Sequence, residues 1–353
     1  MLARQTLDRP PTSALQQMTR APGCVRQNRL VELGGFAMQR RFAFGFGVTA
    51  GVLLLLGAGA GAQTVTVTDC ADQTGLATAM NTVPSGGTIV FDCGSTPANP
   101  VTIPVTATLE GGATNYTMDG GGAVILAGSG PTPGPMLEFP LNGQTATVQN
   151  LTVTGSTGSA DGAIKLAGGS NVTLVNMTIF NNAAIGASGR GGGLYVQNST
   201  ATIVNSTFSG NSATQVGNDI ESDGGTVNMA NSIFLDGCFN NGGTFNDLGG
   251  NVDTGSSCTS GANGSLINVA TPILGPLAEG LFFPLAAGSV AIGLDTANCP
   301  ARDELGNSRG STCNAGAVQV NTPPFPVPAL GPAALCLSAL LLGAVGWAAV
   351  RRA

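Results

Sequence analysis

Between residues 146 and 234 the chain repeats one short pattern of hydrophobic and polar positions four times. Each copy has an apolar–polar alternation of period two, then an asparagine, then an apolar residue three positions later. The asparagines are Asn150, Asn176, Asn205 and Asn231, spaced 26, 29 and 26 residues apart. A period of roughly 20 to 50 residues is typical of a solenoid. Alternation of period two predicts strands with one buried face.

Three columns of apolar residues align across the four copies. They are Ala146, Val172, Ala201 and Val227; Val148, Leu174, Ile203 and Met229; and Val153, Ile179, Phe208 and Phe234. A second set of short strands aligns Ile164, Leu194 and Ile220, with Lys165, Tyr195 and Glu221 pointing the other way. Such copies, stacked at the strand spacing of about 4.8 Å, predict an all-β parallel β-helix. A β-sandwich with accidental similarity is the alternative.

The repeated asparagine is predicted to form the corner between two strands of each coil. Asparagine tolerates the left-handed backbone conformation that such a corner requires. The stacked side chains of Asn150, Asn176, Asn205 and Asn231 are expected to hydrogen-bond from coil to coil as a ladder. A short helix at 76–83 is predicted to cap the first coil, and segment 284–320 is expected to close the C-terminal end.

The two ends of the chain differ in composition from this β-rich region. Residues 38–62 combine a basic start, an apolar run and a small-residue cleavage site, as a secretory signal peptide does. Residues 1–37 are interpreted as a mis-assigned start, with Met38 the true one, or as an extended N-terminus. The predicted β-helix domain then covers residues 63–320.

A Pro-rich spacer, residues 321–331, leads to a C-terminal tail, residues 332–353. The uncharged apolar run at 332–350 is long enough to span a bilayer as a helix. Arg351 and Arg352 follow it, and basic residues favour the cytoplasmic side of a membrane.

Charge and residue types exclude some functions. Residues 63–328 contain 17 acidic and four basic residues, so their net charge is −13. Such a surface repels nucleic acid and anionic polysaccharide. The chain has no histidine, and one lysine and one arginine lie between residues 64 and 300. These features argue against a uronate lyase, which needs a strong base and cationic groups.

Six cysteines of the predicted domain fall into three local pairs, 23, 20 and 14 residues apart. Although about fifteen pairings are available to six cysteines, near neighbours need the least rearrangement of the chain. We therefore predict three disulfides, Cys70–Cys93, Cys238–Cys258 and Cys299–Cys313. Disulfides indicate an oxidising compartment. A zinc site is the alternative, although the sequence has neither CxxC nor histidine.

The C-terminal tail carries a short motif, Val327, Pro328, Ala329 and Leu330, before its apolar run and arginine pair. This arrangement resembles the IPTL-CTERM sorting signals of Gram-negative bacteria, with Val-Pro-Ala-Leu in place of Ile-Pro-Thr-Leu and without the following tryptophan. The resemblance implies that export and sorting machinery cuts near the motif and passes the protein to the cell envelope, the outer surface or the medium. A plain C-terminal membrane anchor is the alternative.

Four segments resemble the choice-of-anchor Q family of right-handed parallel β-helix surface proteins. They are Gly86–Cys93, Ser289–Ile292, Asp303–Arg309 and Asn314–Gln319. The resemblance covers roughly residues 64 to 320 and implies surface display, with no agreed enzymatic activity. Asn314 and Gln319 replace an aspartate and a glutamate of the family pattern, which puts a metal or salt-bridge role at those positions in doubt.

Glycoside hydrolysis requires two carboxylates flanking the scissile bond. Asp219 and Glu221 are expected to share the outer face of one strand, about 6.6 Å apart by strand geometry. The alternative is an ordinary solvated strand face, because Tyr195 is the one aromatic residue near the pair.

A calcium site is the other use of acidic side chains that the sequence leaves open. Asp295, Asp303 and Glu304, near Asn298, supply the hard oxygen ligands that calcium prefers. Their spacing matches no recognised calcium loop, and we expect no cofactor otherwise.

We expect an exported β-helix that serves as a non-catalytic adhesion or envelope-display module. Its expected partners are export and sorting machinery and an extracellular glycan, host or matrix surface. No nucleic-acid partner is expected, and the C-terminal helix would hold the chain in the membrane before sorting. The alternative is a polysaccharide-cleaving glycoside hydrolase that uses Asp219 and Glu221.

Overall fold

The computed structural model describes residues 63–319 except residues 131–133, 159, 272 and 296. The predicted signal peptide, the spacer, the sorting motif at 327–330 and the C-terminal apolar run lie outside the described residues. No helix within the described residues has the length and apolar character needed to cross a membrane.

The described chain contains one short helix and many short strands. The helix is α1 (Thr74–Thr82). The strands are β1 (Thr64–Val67), β2 (Gly87–Phe91), β3 (Val101–Val105), β4 (Leu109–Glu110), β5 (Asn115–Asp119), β6 (Val124–Gly128), β7 (Leu137–Phe139), β8 (Thr145–Thr154), β9 (Thr157–Gly158), β10 (Ile164–Leu166), β11 (Asn171–Phe180), β12 (Ala183–Ala184), β13 (Leu194–Gln197), β14 (Thr200–Val204), β15 (Thr207–Ser209), β16 (Ser212–Ala213), β17 (Ile220–Asp223), β18 (Thr226–Ala230), β19 (Ile233–Phe234), β20 (Cys238–Asn241), β21 (Thr244–Gly249) and β22 (Val252–Asp253).

The strands stack in parallel on three faces of a solenoid. The first face has the order β1-β2-β5-β8-β11-β14-β18-β21, with β8 and β11 contributing their first halves. The second face contains β3, β6, the second halves of β8 and β11, β15, β19 and β22. The third face has the order β4-β7-β10-β13-β17-β20. Each coil contributes one strand to this face, so the six strands correspond to six coils. The predicted parallel β-helix is therefore confirmed.

The predicted apolar columns fill the interior of this solenoid. The twelve residues align in register across β8, β11, β14, β15, β18 and β19. All twelve are buried, and the most exposed of them, Ala146, keeps 5% of its accessible surface. Ile164, Leu194 and Ile220 also pair in register and are fully buried on the third face. Stacked coils thus bury a continuous core because each coil covers its neighbour's apolar residues.

The corner between the first and second faces has the predicted left-handed conformation. The φ angles of Asn150, Asn176, Asn205 and Asn231 lie between 47° and 54°. Asn176 Nδ2 donates a hydrogen bond to Asn150 Oδ1 at 3.0 Å, which is one step of the expected ladder.

The ladder does not continue through the last two corners. Asn205 Nδ2 donates to the carbonyl oxygen of Asn314 at 2.8 Å, and Asn231 Nδ2 donates to that of Ala297 at 2.7 Å. The prediction of a four-residue ladder is therefore wrong at these corners, because the C-terminal segment supplies carbonyl acceptors there.

Helix α1 caps the first coil, as predicted, and begins two residues earlier than expected. Its buried residues, Leu76, Ala79 and Met80, belong to the main core. The helix contacts β1 and β4, which are the first strands of the first and third faces. A short amphipathic helix therefore covers core that an open solenoid end would expose to water.

All three predicted disulfides are present: Cys70–Cys93, Cys238–Cys258 and Cys299–Cys313. Each closes a local loop of 14 to 23 residues. Together they are consistent with an extracellular or exported location.

The described residues of segment 273–319, the C-terminal cover, lie along the outside of the second face. Ile273, Leu285, Ala291 and Ala315 form a separate small core with Ile233 and Val252 of that face. Within the cover, antiparallel bridges pair residues 295 with 313 and 302 with 308, so it ends in a hairpin. The expectation that this segment closes the C-terminal end is wrong. Apolar and hydroxyl side chains on the outside of the second face provide a surface that the cover buries.

Glu304 fixes the tip of the cover to the second face. Thr178 Oγ1 donates to Glu304 Oε2 at 2.6 Å, and Thr152 Oγ1 lies 3.1 Å from Glu304 Oε1. The Thr152 hydroxyl also bonds to the carbonyl oxygen of Leu281. A hydroxyl carries one hydrogen, so a protonated Glu304 satisfies both contacts of Thr152. Burial raises the pKa of Glu304 to about 8, in agreement with a protonated carboxyl.

Candidate binding face

The outside of the first face carries two columns of threonine and asparagine. The first column is Asn115, Thr145, Asn171, Thr200, Thr226 and Thr244, and the second is Thr117, Thr147, Thr173, Thr202, Asn228 and Asn246. These twelve residues, the Thr/Asn face, lie on six consecutive strands, and each is exposed or half-exposed.

Strand alternation produces this face. In β14 the side chains of Ala201 and Ile203 point inward and are fully buried, so those of Thr200 and Thr202 point outward. Threonine is β-branched and suits a strand with one solvated side. The register is continuous from β5 to β18, and one irregularity occurs between β18 and β21.

The Thr/Asn face is a regular two-dimensional grid. Neighbouring strands lie about 4.8 Å apart, and alternate residues of one strand lie about 6.6 Å apart. None of the twelve positions carries a charge. Among the described residues, the hydroxyls of Thr117, Thr147 and Thr173 have no hydrogen-bond partner in the protein, which leaves them available to an external ligand.

The asparagine end of the face is internally bonded. Asn228 Nδ2 donates to Thr202 Oγ1 at 3.3 Å, and Asn246 Nδ2 donates to Asn228 Oδ1 at 2.8 Å. These bonds fix the orientation of the amides, so the grid continues as an ordered row of polar groups.

A polar crevice bounds the face where the C-terminal cover meets the corner. Asp119, Gln149 and Asn176 line it on the solenoid side, and Arg302 lines it on the cover side. Asp119 is held by Gln149 Nε2 at 2.8 Å and by the backbone amide of Gly121 at 2.9 Å. The Asp119 carboxylate is thus bound in place at the edge of the face.

The third face carries charged groups that compensate one another. Lys165 Nζ lies 2.9 Å from Asp161 and 3.5 Å from Glu138. Arg190 Nη1 lies 3.6 Å from Glu221 and 3.5 Å from Asp223. Each cation is therefore shared by two carboxylates and offsets part of their charge, which leaves this face less suited than a free acidic pair to cation binding or acid–base chemistry.

Asp219 does not lie on an outer face as expected. It precedes β17, is completely buried, and accepts hydrogen bonds from Asn211 Nδ2 at 3.0 Å and from the amide of Asp236 at 2.8 Å. Asn211 in turn contacts Asn182 at 3.1 Å, so Asp219 ends an internal stack of amides. Burial and the nearby Asp236 carboxylate raise the pKa of Asp219 to about 8.

Glu221 points outward from β17, yet it is buried beneath Arg190 and retains 1% of its accessible surface. Burial raises its pKa to about 7, and Arg190 opposes this shift. The register places Glu221 between Tyr195 and Phe239. The structure does not bring Asp219 and Glu221 together on one surface. Both expectations, a catalytic carboxylate pair on an outer face and an ordinary solvated strand face, required exposed side chains, and both are wrong because the two side chains are buried.

The residues proposed for calcium are engaged in the C-terminal cover. Asp303 Oδ1 accepts hydrogen bonds from the amides of Leu305 and Asn307 at 3.0 and 2.7 Å. The Glu304 carboxyl lies against the threonine hydroxyls of the second face. Within the described residues no group of three metal-ligating side chains is placed to hold a metal ion.

Sequence reasoning missed the docking roles of Arg190, Glu304 and Arg309. Arg190 precedes β13, and the acids it pairs with, Glu221 and Asp223, lie on β17 of the next coil. The signal for this pairing was the repeat that stacks β13 on β17. Arg309 is 2% exposed and donates to Asn176 Oδ1 at 2.9 Å and to the carbonyl oxygen of Ala317 at 2.7 Å. The signal for Arg309 was its place in the Asp303–Arg309 motif.

Asn314 and Gln319 act as neutral hydrogen-bond partners in the cover. Asn314 Oδ1 accepts from the amide of Gly293 at 2.8 Å, and Gln319 Oε1 accepts from the amide of Asn314 at 3.1 Å. Amide side chains therefore organise this segment at positions 314 and 319.

Comparisons of the chain with family models, with curated proteins and with solved structures found no significant match.

Proposed function

We propose that the protein is an exported, surface-displayed β-helix whose function is non-catalytic adhesion or envelope display. The resemblance to choice-of-anchor Q proteins, a right-handed winding of the coils and sorting through the C-terminal tail form part of this proposal. The uncharged Thr/Asn face is the observation that carries it, because it offers six coils of unbonded or ordered polar groups to one extended partner. The three disulfides support export.

The placement of the acids favours adhesion over the hydrolase alternative. A glycosidase requires both carboxyl groups to reach the scissile bond. Asp219 is completely buried in an amide stack, whereas Glu221 is covered by Arg190. The Thr/Asn face, by contrast, presents its polar groups without any rearrangement of the fold.

Two measurements on the full chain, exported in a Gram-negative host, test this proposal. Surface labelling of intact cells and analysis of the medium locate the protein. Co-sedimentation with insoluble neutral surfaces, including cellulose, chitin and ice, tests adhesion, with anionic polysaccharide as the comparison. We expect surface or medium location and retention on at least one neutral surface.

An activity assay on the same preparation addresses the hydrolase alternative. New reducing ends released from neutral and acidic polysaccharides, and lost in Glu221→Gln, would overturn the non-catalytic function. Retention in the cytoplasm, or no retention on any neutral surface by folded, disulfide-intact protein, would overturn the display and adhesion proposal.

A further inference from the structure

We infer that the partner of the Thr/Asn face is ice. This inference rests on the proposed function and names the neutral surface to which the face binds. It is based on the Thr/Asn face, where the same two outward strand positions repeat over six coils.

A grid of fixed groups is complementary to a ligand that is itself a lattice. The two spacings of the face, about 4.8 Å and about 6.6 Å, are set by the backbone and repeat without adjustment of side chains. A flexible polymer would lose conformational freedom on each contact, whereas a rigid lattice loses none. Weak contacts can therefore add over the whole face when the partner is a crystal.

The side chains suit water as the lattice component. Each threonine offers a hydroxyl that both donates and accepts, next to a methyl group that does neither. The hydroxyls of Thr117, Thr147 and Thr173 make no bond within the described residues, so they can join a water network. Methyl groups beside them order neighbouring water and release it when apolar surface is buried.

The absence of charge on the face is the second requirement of an ice partner. A charged side chain holds its own hydration shell, which does not fit a neutral water lattice. Residues 63–328 carry 17 acidic side chains, and none of them is among the twelve positions. Asp119, which lies beside the second column, is bonded to Gln149 and to the Gly121 amide.

Measurements of thermal hysteresis and of ice recrystallisation test this inference on the exported full chain. Thr173→Tyr places a ring in the middle of the grid and is expected to reduce both activities at least tenfold. Gln197→Tyr is the matched control, because Gln197 is a partly exposed strand residue of the third face. Thr173→Val retains the shape of the residue and removes the hydroxyl, so a smaller loss is expected without disturbance of the fold.

Each outcome decides the inference. Ice activity that Thr173→Tyr and Thr173→Val reduce, and Gln197→Tyr leaves unchanged, supports it. Absence of ice activity in the wild-type protein, or equal loss in the Thr173 and Gln197 variants, overturns it. Retention on cellulose or chitin without ice activity would leave the adhesion function standing and show a polysaccharide partner instead. Failure on every neutral surface would remove both proposals.

Discussion

The first and second faces of the solenoid present similar strands to different surroundings. From β8 to β22 the outward column of the second face is buried to 2% exposure or less, and it consists of Thr152, Thr178, Thr207, Ile233 and Val252. The outward column of the first face, from Thr117 to Asn246, remains half-exposed. Both columns contain stacked threonines, so residue type alone does not decide whether a column is exposed to an external ligand.

The difference lies in the partners of the hydroxyl groups. On the second face Thr178 bonds to Glu304, and Thr207 Oγ1 accepts a hydrogen bond from the amide of Ala317 at 3.0 Å. On the first face the hydroxyls of Thr147 and Thr173 have no partner within the described residues. One face thus uses its threonines for internal cohesion, and the other has them free for recognition.

The largest expected effect concerns the protonation of Glu304 under the cover. Burial raises its pKa from the ordinary 4.5 to about 8; Asp303 also raises it, and Arg309 and the threonine bonds lower it. The folded protein therefore binds more protons than the unfolded chain between these values, so stability falls as pH rises from 4.5 to 8. We expect a loss on the order of 4 kcal/mol in the free energy of unfolding.

Urea unfolding across this pH window measures the effect. Asp219 and Glu221 have raised pKa values and contribute in the same direction. The effect of Glu304 is therefore measured by comparing the wild type with Glu304→Gln. We expect the free energy of unfolding to depend less on pH in the variant. If the free energy of unfolding of Glu304→Gln fell with pH as steeply as that of the wild type, the raised pKa assigned to Glu304 would be contradicted.

The next effect is the loss of the Arg309 anchor. Arg309→Met leaves Asn176 Oδ1 and the carbonyl oxygen of Gly316 without a donor, whereas the carbonyl oxygen of Ala317 keeps its bond from the amide of Glu304. We expect destabilisation of about 2 kcal/mol, since each orphaned buried acceptor costs roughly 1 kcal/mol or more. Arg302→Met is the control, because Arg302 is exposed and bonds to the carbonyl oxygen of Gly306. Equal urea midpoints for the two variants would disprove the anchor.

Two adjacent corner glycines measure how closely the cover approaches. A Cβ on Gly122 would lie 2.0 Å from the carbonyl oxygen of Glu304, whereas a Cβ on Gly121 would have no neighbour within 4 Å. Both residues have positive φ, 61° and 67°, so alanine at either costs about 1 kcal/mol. We expect Gly122→Ala to lower the free energy of unfolding by about 2 kcal/mol more than Gly121→Ala does, because the added methyl group must displace the cover. Thermal melting of the two variants measures this difference. Similar melting temperatures would show that the cover does not press on this corner.

The smallest effect compares two threonines of one strand. Thr178→Val removes the hydroxyl bonded to Glu304 and should cost about 1 kcal/mol. Thr173→Val removes an unbonded hydroxyl of the open face, so we expect a change within about 0.5 kcal/mol. Chemical denaturation of both variants at one pH resolves the difference. A cost at Thr173 as large as that at Thr178 would erase the distinction between the two faces.

Much of the fold was predictable because it is repetitive. Each coil repeats the same local pattern, so four copies of an asparagine and three apolar columns specify strands, register and corners together. The disulfides followed from proximity along the chain. The cover was not predictable in the same way, because Glu304 and Arg309 contact residues more than 100 positions earlier in the chain.

The candidate sites show the same division. Strand alternation correctly placed Glu221 on the outer side of its strand, but it could not show that Arg190 covers it. Asp219 was assigned by alternation as well, but it precedes the first residue of β17, so strand alternation does not determine its direction. The hydrogen bonds to Asn211 and Asp236 then keep its carboxyl in the interior.

The sequence by itself determined the solenoid, its inward columns, its helical cap and its cysteine pairs, because these depend on period and proximity. The tertiary structure alone decided which outward column is covered and which is open. That decision depends on where residues 273–319 return after the last coil, and on whether long-range donors and acceptors meet the threonines of a face. Local patterns contain no information about such a return, since its contacts form only when distant parts of the chain pack together.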